Sequence, residues 1–208
     1  MKTPKISKAV VRRLPVYLRY LQLLDEMNIR TVSSYELGQK LDMNPAQIRK
    51  DLAYFGEFGR KGIGYEVGYL VEKIKQILKL DRHLNVALVG AGHLGIALSN
   101  YNRYTNEKMS IAAIFDTDRE KIGTQVGNLI IQHIDELEQA VREKEIRIGM
   151  ITVPAPYAQG VADRLVEAGV KGILNFAPVS LLVPSDVHLR SADVTTELQS
   201  LAYYIEES

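Results

Sequence analysis

The fold is decided by residues 85–95, which read NVALVGAGHLG. The first five are almost wholly apolar, which is typical of a strand buried in a parallel sheet. Three glycines of a Gly-x-Gly-x-x-Gly loop follow, and they lead into the helical residues 96–101. In this order of strand, loop and helix, Gly90 permits a tight turn, Gly92 lets the backbone approach a pyrophosphate and Gly95 lets the helix pack closely. The segment therefore predicts a dinucleotide-binding loop, with the helix N-terminus facing the phosphates.

An acidic residue follows where such a fold needs one. A second apolar strand, residues 111–115, leads directly into Asp116, which lies 21 residues past Gly95. A carboxylate at this position accepts hydrogen bonds from the adenine ribose hydroxyls and repels a 2′-phosphate, so the sequence favours NAD(H) over NADP(H). Asp118 suits the role less well, because it should lie beyond the end of the strand.

Strands and helices continue to alternate along the chain. They are predicted, helix first, over residues 135–144, 146–153, 157–168 and 170–176. This alternation is typical of an α/β domain with an open parallel sheet. Ligands of such sheets bind beyond the carboxyl ends of the strands, so cofactor contacts are expected from the loops at 152–156 and 175–178.

The chain upstream of this sheet is predicted to be helical. Apolar residues from Val10 to Leu24 recur at a 3.6-residue period and predict a helix that ends near Met27. Pro15 should either delay the regular helix to about Arg12 or kink it.

Two short helices are predicted next. Ser33 and Glu36 form a capping box that begins a helix ending at Leu41, and Asn44 caps a helix that has Pro45 in its first turn and ends near Tyr54.

Two short helices with a brief break between them are typical of a helix-turn-helix, although an ordinary helical hairpin has the same spacing. Residues 55–65 then combine glycines, aromatic residues and two adjacent cations, as expected of a hairpin wing. The candidate DNA contacts on these helices and the wing are Ser33, Asn44, Arg49, Lys50, Tyr54, Arg60 and Lys61.

The charge of the chain is divided unevenly between its two parts. The formal net charge of the 208 residues is only +1, but residues 1–80 carry 15 Lys and Arg against 8 Asp and Glu, while residues 81–208 carry 11 against 17. The resulting +7 supplies the phosphate-neutralising term of nucleic-acid binding, and the second part is acidic at −6. The sequence thus predicts a basic DNA-binding part and an acidic dinucleotide-binding part.

Composition excludes several classes of protein. The chain has no cysteine, which excludes thiol chemistry and Cys-type zinc or iron–sulfur sites. Because no apolar run approaches about 18 residues and no signal-peptide core is present, we expect a soluble, cytoplasmic protein with no membrane partner.

Catalytic residues are not recognisable in the sequence. His93 lies inside the glycine loop, the other three histidines have no spaced partner, and no HxxxH or HExxH metal pair is present. A dehydrogenase also needs a general acid or base and usually a substrate domain, and neither is evident. We therefore expect no catalytic residue and no metal, and we favour a sensor that binds a dinucleotide and changes its grip on DNA. An NAD-dependent oxidoreductase and a module for another adenine ligand such as CoA are the alternatives.

Five stretches together resemble the Rex family of redox-sensing bacterial repressors. They are RKDLAYFG at 49–56, GIGY at 62–65, GAGHLG at 90–95, TVP at 152–154 and GILNFAP at 172–178. The resemblance covers essentially the whole chain. It implies a winged-helix domain, a Rossmann domain that senses NADH, and a homodimer that exchanges its C-terminal helix. It also implies repression of genes for anaerobic NADH reoxidation, with release from a palindromic operator when NADH binds.

The resemblance also implies roles for individual residues. Arg49, Lys50 and Lys61 would contact DNA, and an arginine, a tyrosine and an aspartate that form the family's conformational switch fall on Arg19, Tyr101 and Asp193. The residues expected to hold NADH or NAD⁺ are Gly90, Ala91, Gly92, His93, Leu94, Gly95, Asp116, Thr152, Val153, Pro154, Asn175 and Phe176.

Three parts of the chain are expected on this basis: a DNA-binding domain over residues 1–80, a Rossmann domain over 81–194 and a dimerisation helix over 195–208. The last helix has an apolar stripe at Leu198, Leu201, Ala202 and Ile205. By its pattern alone, such a stripe either packs on its own domain or exchanges between subunits.

Overall fold

The computed structural model describes residues 6–56, 59, 60, 63–105 and 108–206, and it describes their side chains except at 60, 101–105 and 206. The chain divides into two compact units, Met1–Arg82 and His83–Ser208. Each unit has its own apolar core, and the two are described separately.

The first unit combines four helices with a small sheet. Its elements are α1 Lys8–Glu26, β1 Thr31–Val32, α2 Ser34–Leu41, α3 Pro45–Ala53, β2 Gly59–Arg60, β3 Gly64–Glu66 and α4 Val67–Ile77. The core is built mainly from fully buried side chains of α1, α3 and α4, namely Leu14, Tyr17, Leu21, Ile48, Leu52, Leu70 and Ile74.

Helix α1 begins earlier than Pro15 suggested. The Ser7 hydroxyl accepts from the Val10 amide and caps the helix, which then includes Pro15 in its interior. Of the two alternatives predicted for Pro15, a delayed start near Arg12 is therefore excluded. A proline at this place leaves the Val11 carbonyl without its helical donor. Because Val11 and Pro15 are both exposed, water can serve that carbonyl in place of the missing amide.

The two short helices begin at the predicted caps. Ser33 and Glu36 exchange the two hydrogen bonds of a capping box at the start of α2, which confirms that prediction. At the start of α3, the Asn44 side chain accepts from the Ala46 amide at 2.8 Å, with Pro45 as the first helical residue.

A three-stranded antiparallel sheet of order β1-β3-β2 follows the helix pair. Strands β2 and β3 are the predicted hairpin wing. Strand β1 was not predicted, because two residues are too few to show an alternating pattern. It pairs with β3 through Thr31 opposite Glu66 and Val32 opposite Tyr65, and so joins the wing to the chain before α2.

The second unit is an α/β fold. Its elements are β4 Leu84–Val89, α5 His93–Thr105, β5 Met109–Asp116, β6 Gln125–Val126, β7 Leu129–His133, a 3₁₀ turn Ile134–Glu136, α6 Leu137–Glu143, β8 Ile148–Ile151, α7 Ala155–Glu167, β9 Gly172–Asn175, β10 His188–Ser191 and α8 Val194–Glu206. Buried apolar side chains cover both faces of the sheet.

The strands lie in the order β10-β9-β8-β4-β5-β7-β6 and are parallel except for β6. If the six parallel strands are numbered 1 to 6 along the chain, starting at β4, their order across the sheet is 3-2-1-4-5-6. This is the strand order of dinucleotide-binding folds. The chain reverses direction across the sheet between β4 and β8, which opens a crevice beyond their carboxyl ends.

The predicted parallel sheet is confirmed, but it is larger than predicted. Strands β6, β7 and β10 were missed. Strand β6 has only two residues, and β10 is an edge strand whose four residues are exposed or half-buried, so neither has a recognisable hydrophobic pattern. Strand β7 also lacks a clear pattern, because only one of its five residues, Ile131, is buried.

Helix α8 exposes its apolar side chains. Leu198 is 60% exposed, Leu201 56% and Ile205 75%. The pattern left two alternatives open for this stripe, packing on its own unit or exchange between subunits. In the described residues the stripe does not pack on its own unit. No described helix of the chain is long and apolar enough to cross a membrane.

Candidate dinucleotide site and nucleic-acid interface

The glycine loop turns sharply after β4 and leaves no room for side chains at two positions. Gly90 has φ +104°, and a Cβ there would lie 2.8 Å from the Thr152 carbonyl carbon. A Cβ on Gly95 would lie 2.0 Å from the Gly90 carbonyl oxygen. Both positions require glycine because helix α5 and the loop after β8 approach the turn so closely.

Gly92 differs from the other two loop glycines. A Cβ on Gly92 would meet no heavy atom within 4 Å. The space over Gly92 is therefore open at the N-terminus of α5, where free amides and the helix dipole favour an anion. A phosphate group can approach the backbone here, and this is the role the sequence predicted for Gly92.

Thr152 connects the glycine loop to the neighbouring strand end. Its hydroxyl lies 3.0 Å from the Val89 carbonyl oxygen and 2.7 Å from that of Gly90, and its amide donates to Val89. The side chain thus holds the ends of β4 and β8 together at the crevice.

Asp116 lies at the end of β5 and accepts several hydrogen bonds from the backbone. One oxygen accepts from the Ala91 amide at 2.7 Å, and the other accepts from the amides of Thr117 and Asp118. Burial alone would raise the pKa of Asp116, but these hydrogen bonds and the charge of Lys121 outweigh it, so the pKa lies below its usual value. The carboxylate is therefore ionised, and it fixes the glycine loop.

Lys121 joins Asp116 to Asp118. Its ammonium nitrogen lies 3.3 Å from a carboxylate oxygen of each aspartate. Desolvation lowers the pKa of Lys121, but the two carboxylates raise it by more, so the net shift is upward. Asp118, which the sequence made the weaker candidate, thus belongs to the same charged group as Asp116.

These residues border a cleft of about 750 Å³ at the carboxyl ends of the parallel strands. The charged residues Asp116, Asp118 and Lys121 line it together with apolar walls from the loops after β8 and β9 and from α7. The lining residues that the sequence predicted are Gly90, Gly92, Leu94, Asp116, Thr152, Val153, Pro154 and Phe176. Those that it did not predict include Lys121, Ile134, Tyr157 and Val161, whereas Pro178 belongs to the loop at 175–178 that was expected to contact the cofactor.

Four predicted cofactor residues are not among the lining residues: Ala91, His93, Gly95 and Asn175. Ala91 and Gly95 are buried parts of the loop, and His93 is exposed at the start of α5. Asn175 is fully buried, and its amide group bonds to the backbone of Ala177 and Val179. Asn175 therefore shapes the loop that carries Phe176 and does not face the cleft itself.

Several candidate DNA contacts lie on the exposed side of the helix pair. Arg49 and Lys50 are exposed on α3, and the Arg49 guanidinium donates to the Ser34 hydroxyl at 2.9 Å. Tyr54 follows α3 and is 44% exposed. Ser33 and Asn44 lie at the N-termini of α2 and α3, where they cap their own helices. These two helix ends can also receive an anion.

The wing carries the remaining two candidates. The backbone of Arg60 forms the end of β2, but nothing is described of its side chain. Lys61 lies outside the described residues.

A buried carboxylate, Asp51, connects α3 to α1. It is 1% exposed, and each of its oxygens accepts two hydrogen bonds. One oxygen accepts from Arg13 at 2.8 Å and Gln47 at 2.6 Å, and the other accepts from Arg13 at 2.5 Å and Tyr17 at 2.8 Å. Burial raises the pKa of Asp51, but these four bonds lower it by more, so the group is ionised.

The partners of Asp51 respond in the opposite direction. Hydrogen bonding to Asp51 raises the pKa of Arg13, and burial with the same carboxylate raises the pKa of Tyr17. Neither group changes its protonation state near neutral pH. The sequence does not reveal this cluster, because its members lie on two helices that are far apart in the chain; the position of Asp51 between the buried Ile48 and Leu52 is the available signal.

The three switch candidates are divided between the two units. Arg19 is exposed on α1, and the side chain of Tyr101 on α5 lies outside the described part. The carboxylate of Asp193 accepts from the Thr195 amide at 2.9 Å and the Thr196 hydroxyl at 2.9 Å, next to the start of α8. The switch assignment stays a prediction.

Comparison with known families matches the two units separately. Residues 5–53 match the family described as "Putative DNA-binding protein N-terminus", and residues 81–179 match "CoA binding domain". The chain is also 60% identical to the redox-sensing transcriptional repressor Rex of Brevibacillus brevis over 98% of this chain and 99% of the relative. The chain belongs to the Rex family.

Solved Rex structures are similar to this Rex-family chain along its length. RSP, a Rex-family repressor, has been solved in complex with beta-NAD⁺ and operator DNA. That structure is 37% identical, covers 98% of this chain and 94% of its own, and has a TM-score of 0.91. RSP in complex with beta-NADH is 36% identical, covers 97% and 95%, and has a TM-score of 0.87. The winged helix-turn-helix and the Rossmann-type sheet are thus the fold of the family.

Proposed function

We propose that this protein is a redox-sensing transcriptional repressor that binds operator DNA as a homodimer and is released when NADH binds. One observation carries the proposal. A single chain contains an open space over Gly92 at the N-terminus of α5 and an exposed basic helix of a winged helix-turn-helix. The Rex relatives, named as repressors, support the connection between the two.

The cleft fits the adenosine and pyrophosphate parts of NAD(H). The pyrophosphate would lie over Gly92 at the N-terminus of α5. Asp116 accepts hydrogen bonds from three backbone amides and is paired with Lys121. Because Lys121 also contacts Asp118, both residues lie beside Asp116 and would contact the ribose hydroxyls together with it. Two carboxylates against one ammonium make a ribose phosphate unfavourable, which supports NAD(H) over NADP(H).

The same cleft supports a preference for the reduced cofactor. Its walls include Val153, Pro154, Val161 and Phe176. Oxidised nicotinamide is cationic and reduced nicotinamide is neutral, so apolar surroundings disfavour the oxidised ring. Release from DNA then requires NADH to bind the released state of the dimer more tightly than the DNA-competent state. A shift from 99% bound to 99% released needs about 5.5 kcal/mol of this preference, shared by the two cofactor sites of a dimer.

The DNA-binding role is assigned to residues 1–80. Arg49, Lys50 and the wing would contact the operator, and a palindromic site would be read by two copies of the chain. Residues 81–194 would hold the cofactor, and the exposed apolar side chains of α8 support a dimerisation role for 195–208. We assign the switch between the two functions to Arg19, Tyr101 and Asp193.

The protein is proposed to act by binding and not by catalysis, in the cytoplasm where its operator lies. No group of three or more candidate metal ligands occurs among the described residues. Incubation with NADH and candidate carbonyl substrates would test this directly, since loss of NADH absorbance would indicate an oxidoreductase.

CoA is the second candidate ligand, because residues 81–179 match the CoA binding domain family. The charges at the ribose end of the cleft disfavour it, since CoA carries a phosphate on its ribose. NADH fluorescence measured with increasing CoA separates the two: we expect CoA to displace NADH only weakly. Displacement at equal concentrations would assign the cleft to CoA.

The test of the whole proposal is a gel-shift titration. Duplexes are first selected by the protein from a random-sequence pool, and the selected duplex is then titrated alone, with NAD⁺ and with NADH. We expect NADH to lower the affinity for the selected duplex and NAD⁺ to leave it unchanged. Equal affinity under all three conditions would contradict the sensor function.

A further inference from the structure

The Asp51 cluster is the most completely bonded polar group described in the first unit, and its location suggests a role beyond stability. Asp51 lies in α3 immediately after Arg49 and Lys50, the two exposed cations of that helix. Its carboxylate points the other way, into the unit, where it is 1% exposed. The same helix thus carries the candidate DNA contacts on one side and a buried charge on the other.

All acceptor positions of this carboxylate are filled. A carboxylate accepts about four hydrogen bonds, and Asp51 accepts four, from Arg13, Tyr17 and Gln47. Arg13 uses two nitrogens, one on each oxygen, which fixes the plane of the carboxylate as well as its position. Gln47 belongs to α3 itself, so the connection between helices is made by Arg13 and Tyr17 of α1.

Such a connection restricts rotation of α3. Side-chain tips lie roughly 6 Å from a helix axis, so a rotation of about 10° moves them by about 1 Å. Hydrogen bonds to a buried carboxylate do not tolerate a shift of that size, because their lengths vary by only a few tenths of an ångström. Apolar contacts such as those of Ile48 and Leu52 restrict rotation less sharply, since they have no preferred direction.

We propose that Asp51 is a positioning residue for DNA recognition: Arg13 and Tyr17 hold its carboxylate and so fix the direction in which α3 presents Arg49 and Lys50 to the operator. This inference rests on the proposed function. It assigns sequence selectivity to residues that cannot all touch DNA, since Tyr17 is fully buried.

The decisive variant is Tyr17→Phe, which removes one buried hydroxyl and leaves the ring in place. The full-length protein is titrated with the duplex selected by the wild type and with a shuffled duplex of the same composition. We expect the affinity for the selected duplex to fall about 5- to 10-fold, which is the size of one ordinary net hydrogen bond, while affinity for the shuffled duplex changes less than about 2-fold. Asp51→Asn should reduce the ratio of the two affinities further.

Arg13→Lys provides the conservative comparison. Lysine keeps the positive charge but cannot bridge both oxygens, so an intermediate ratio is expected. Because Arg13 is partly exposed, the salt dependence of binding is measured in parallel, and an unchanged slope shows that no phosphate contact was lost.

Ser7→Ala is the matched control for stability. It removes the N-cap of α1 and so lowers the stability of that helix, without touching the Asp51 cluster. All affinities are measured well below each variant's melting temperature, and NADH binding confirms that the second unit is folded. We expect Ser7→Ala to keep the wild-type ratio.

The outcomes separate the inference from the proposed function. If Tyr17→Phe and Asp51→Asn are folded and keep the wild-type ratio, Asp51 is only a stabilising group and the inference is wrong, while the repressor function stands. If Ser7→Ala loses the ratio as well, selectivity follows stability, and the inference is again contradicted. A wild-type protein that does not distinguish the two duplexes would overturn the proposed function itself.

Discussion

Asp51 in the first unit is buried and Asp116 in the second is nearly buried, and the two aspartates are held in different ways. Asp51 is held by side chains that come mainly from another helix, and its neighbours in sequence project outward as exposed cations. Asp116 is held mainly by backbone amides, including that of Ala91 in the glycine loop, and it borders the ligand cleft itself. In the first unit the carboxylate supports a surface, whereas in the second it is part of the site.

This difference indicates how each unit should respond to substitution. The candidate DNA surface is made of flexible, exposed side chains, which can be removed one at a time with graded losses. The cofactor cleft includes a glycine loop at which the proposed pyrophosphate would lie against the backbone, so a single methyl group at that loop should have a much larger effect. The predictions below test this contrast.

The largest effect is expected from Gly92→Ala. The added Cβ meets no protein atom within 4 Å, so the fold should not change, but it occupies the space proposed for the pyrophosphate. We expect NADH affinity to fall at least about 100-fold with a melting temperature within about 2 °C of the wild type in the absence of ligand.

Two further glycines calibrate that result. Gly95→Ala places a Cβ 2.0 Å from a backbone oxygen, so it should lose both NADH binding and stability. Gly160→Ala, on α7 with open space around it, should preserve NADH binding. Normal NADH binding by Gly92→Ala would show that the pyrophosphate does not lie over Gly92.

The next largest effect is expected at Arg49. Arg49→Ala should lower operator affinity about 10-fold, and it should reduce the salt slope by about 1 if the lost contact is to a phosphate. NADH binding should not change, because Arg49 lies in the other unit. Lys171→Ala removes the same charge from the second unit and serves as the control. An equal loss in both variants would indicate that only net charge matters.

A smaller effect is expected from Asp116→Asn. The amide keeps one acceptor oxygen but turns an NH₂ group toward backbone donors, so the glycine loop should loosen. We expect NADH affinity to fall roughly 5- to 10-fold and the preference for NADH over NADPH to decrease, with operator binding nearly intact. Asp186→Asn, which alters an exposed aspartate of the same unit, is the control. Unchanged cofactor preference would transfer ribose recognition to Asp118 and Lys121.

The smallest of these effects concerns the stability of the protein at acid pH. The pKa values of Asp51 and Asp116 are both lowered by folding from the ordinary 3.8. Their contribution to the free energy of unfolding is therefore complete above about pH 3.8 and is lost as the pH falls through the lower folded-state value. Thermal unfolding followed between pH 7 and pH 2 should show this loss, and Asp51→Asn should reduce it. A loss that begins at neutral pH would point to other groups.

Much of the fold could be predicted from local pattern. The caps at Ser33 and Asn44, the strand before Gly90 and the alternation after Asp116 all depend on residues close together in sequence, and all are present. The short strands β1 and β6 and the exposed edge strand β10 could not be predicted, because pairing with a neighbour defines them and their own residues have little pattern.

The sites were predictable to a different extent. The three loop glycines and Asp116 carry a spacing that has one common structural use, so the positions of Gly90, Gly92 and Asp116 in the cleft could be expected. Asn175 was expected near the cofactor, but its buried side chain forms hydrogen bonds to the backbone of its own loop. Lys121 was missed because its importance depends on a three-residue charged group that only the folded β5 end brings together.

By itself, the sequence determined that this chain joins a basic helical unit to an acidic dinucleotide fold, because charge, periodicity and glycine spacing are local properties of the chain. Tertiary structure alone decided which polar groups distant in sequence meet. Arg13 and Asp51 lie 38 residues apart, and Ala91 and Asp116 lie 25 apart, yet each pair is hydrogen-bonded. A buried carboxylate is stable only when its acceptors are filled, and packing brings the donors from distant parts of the chain.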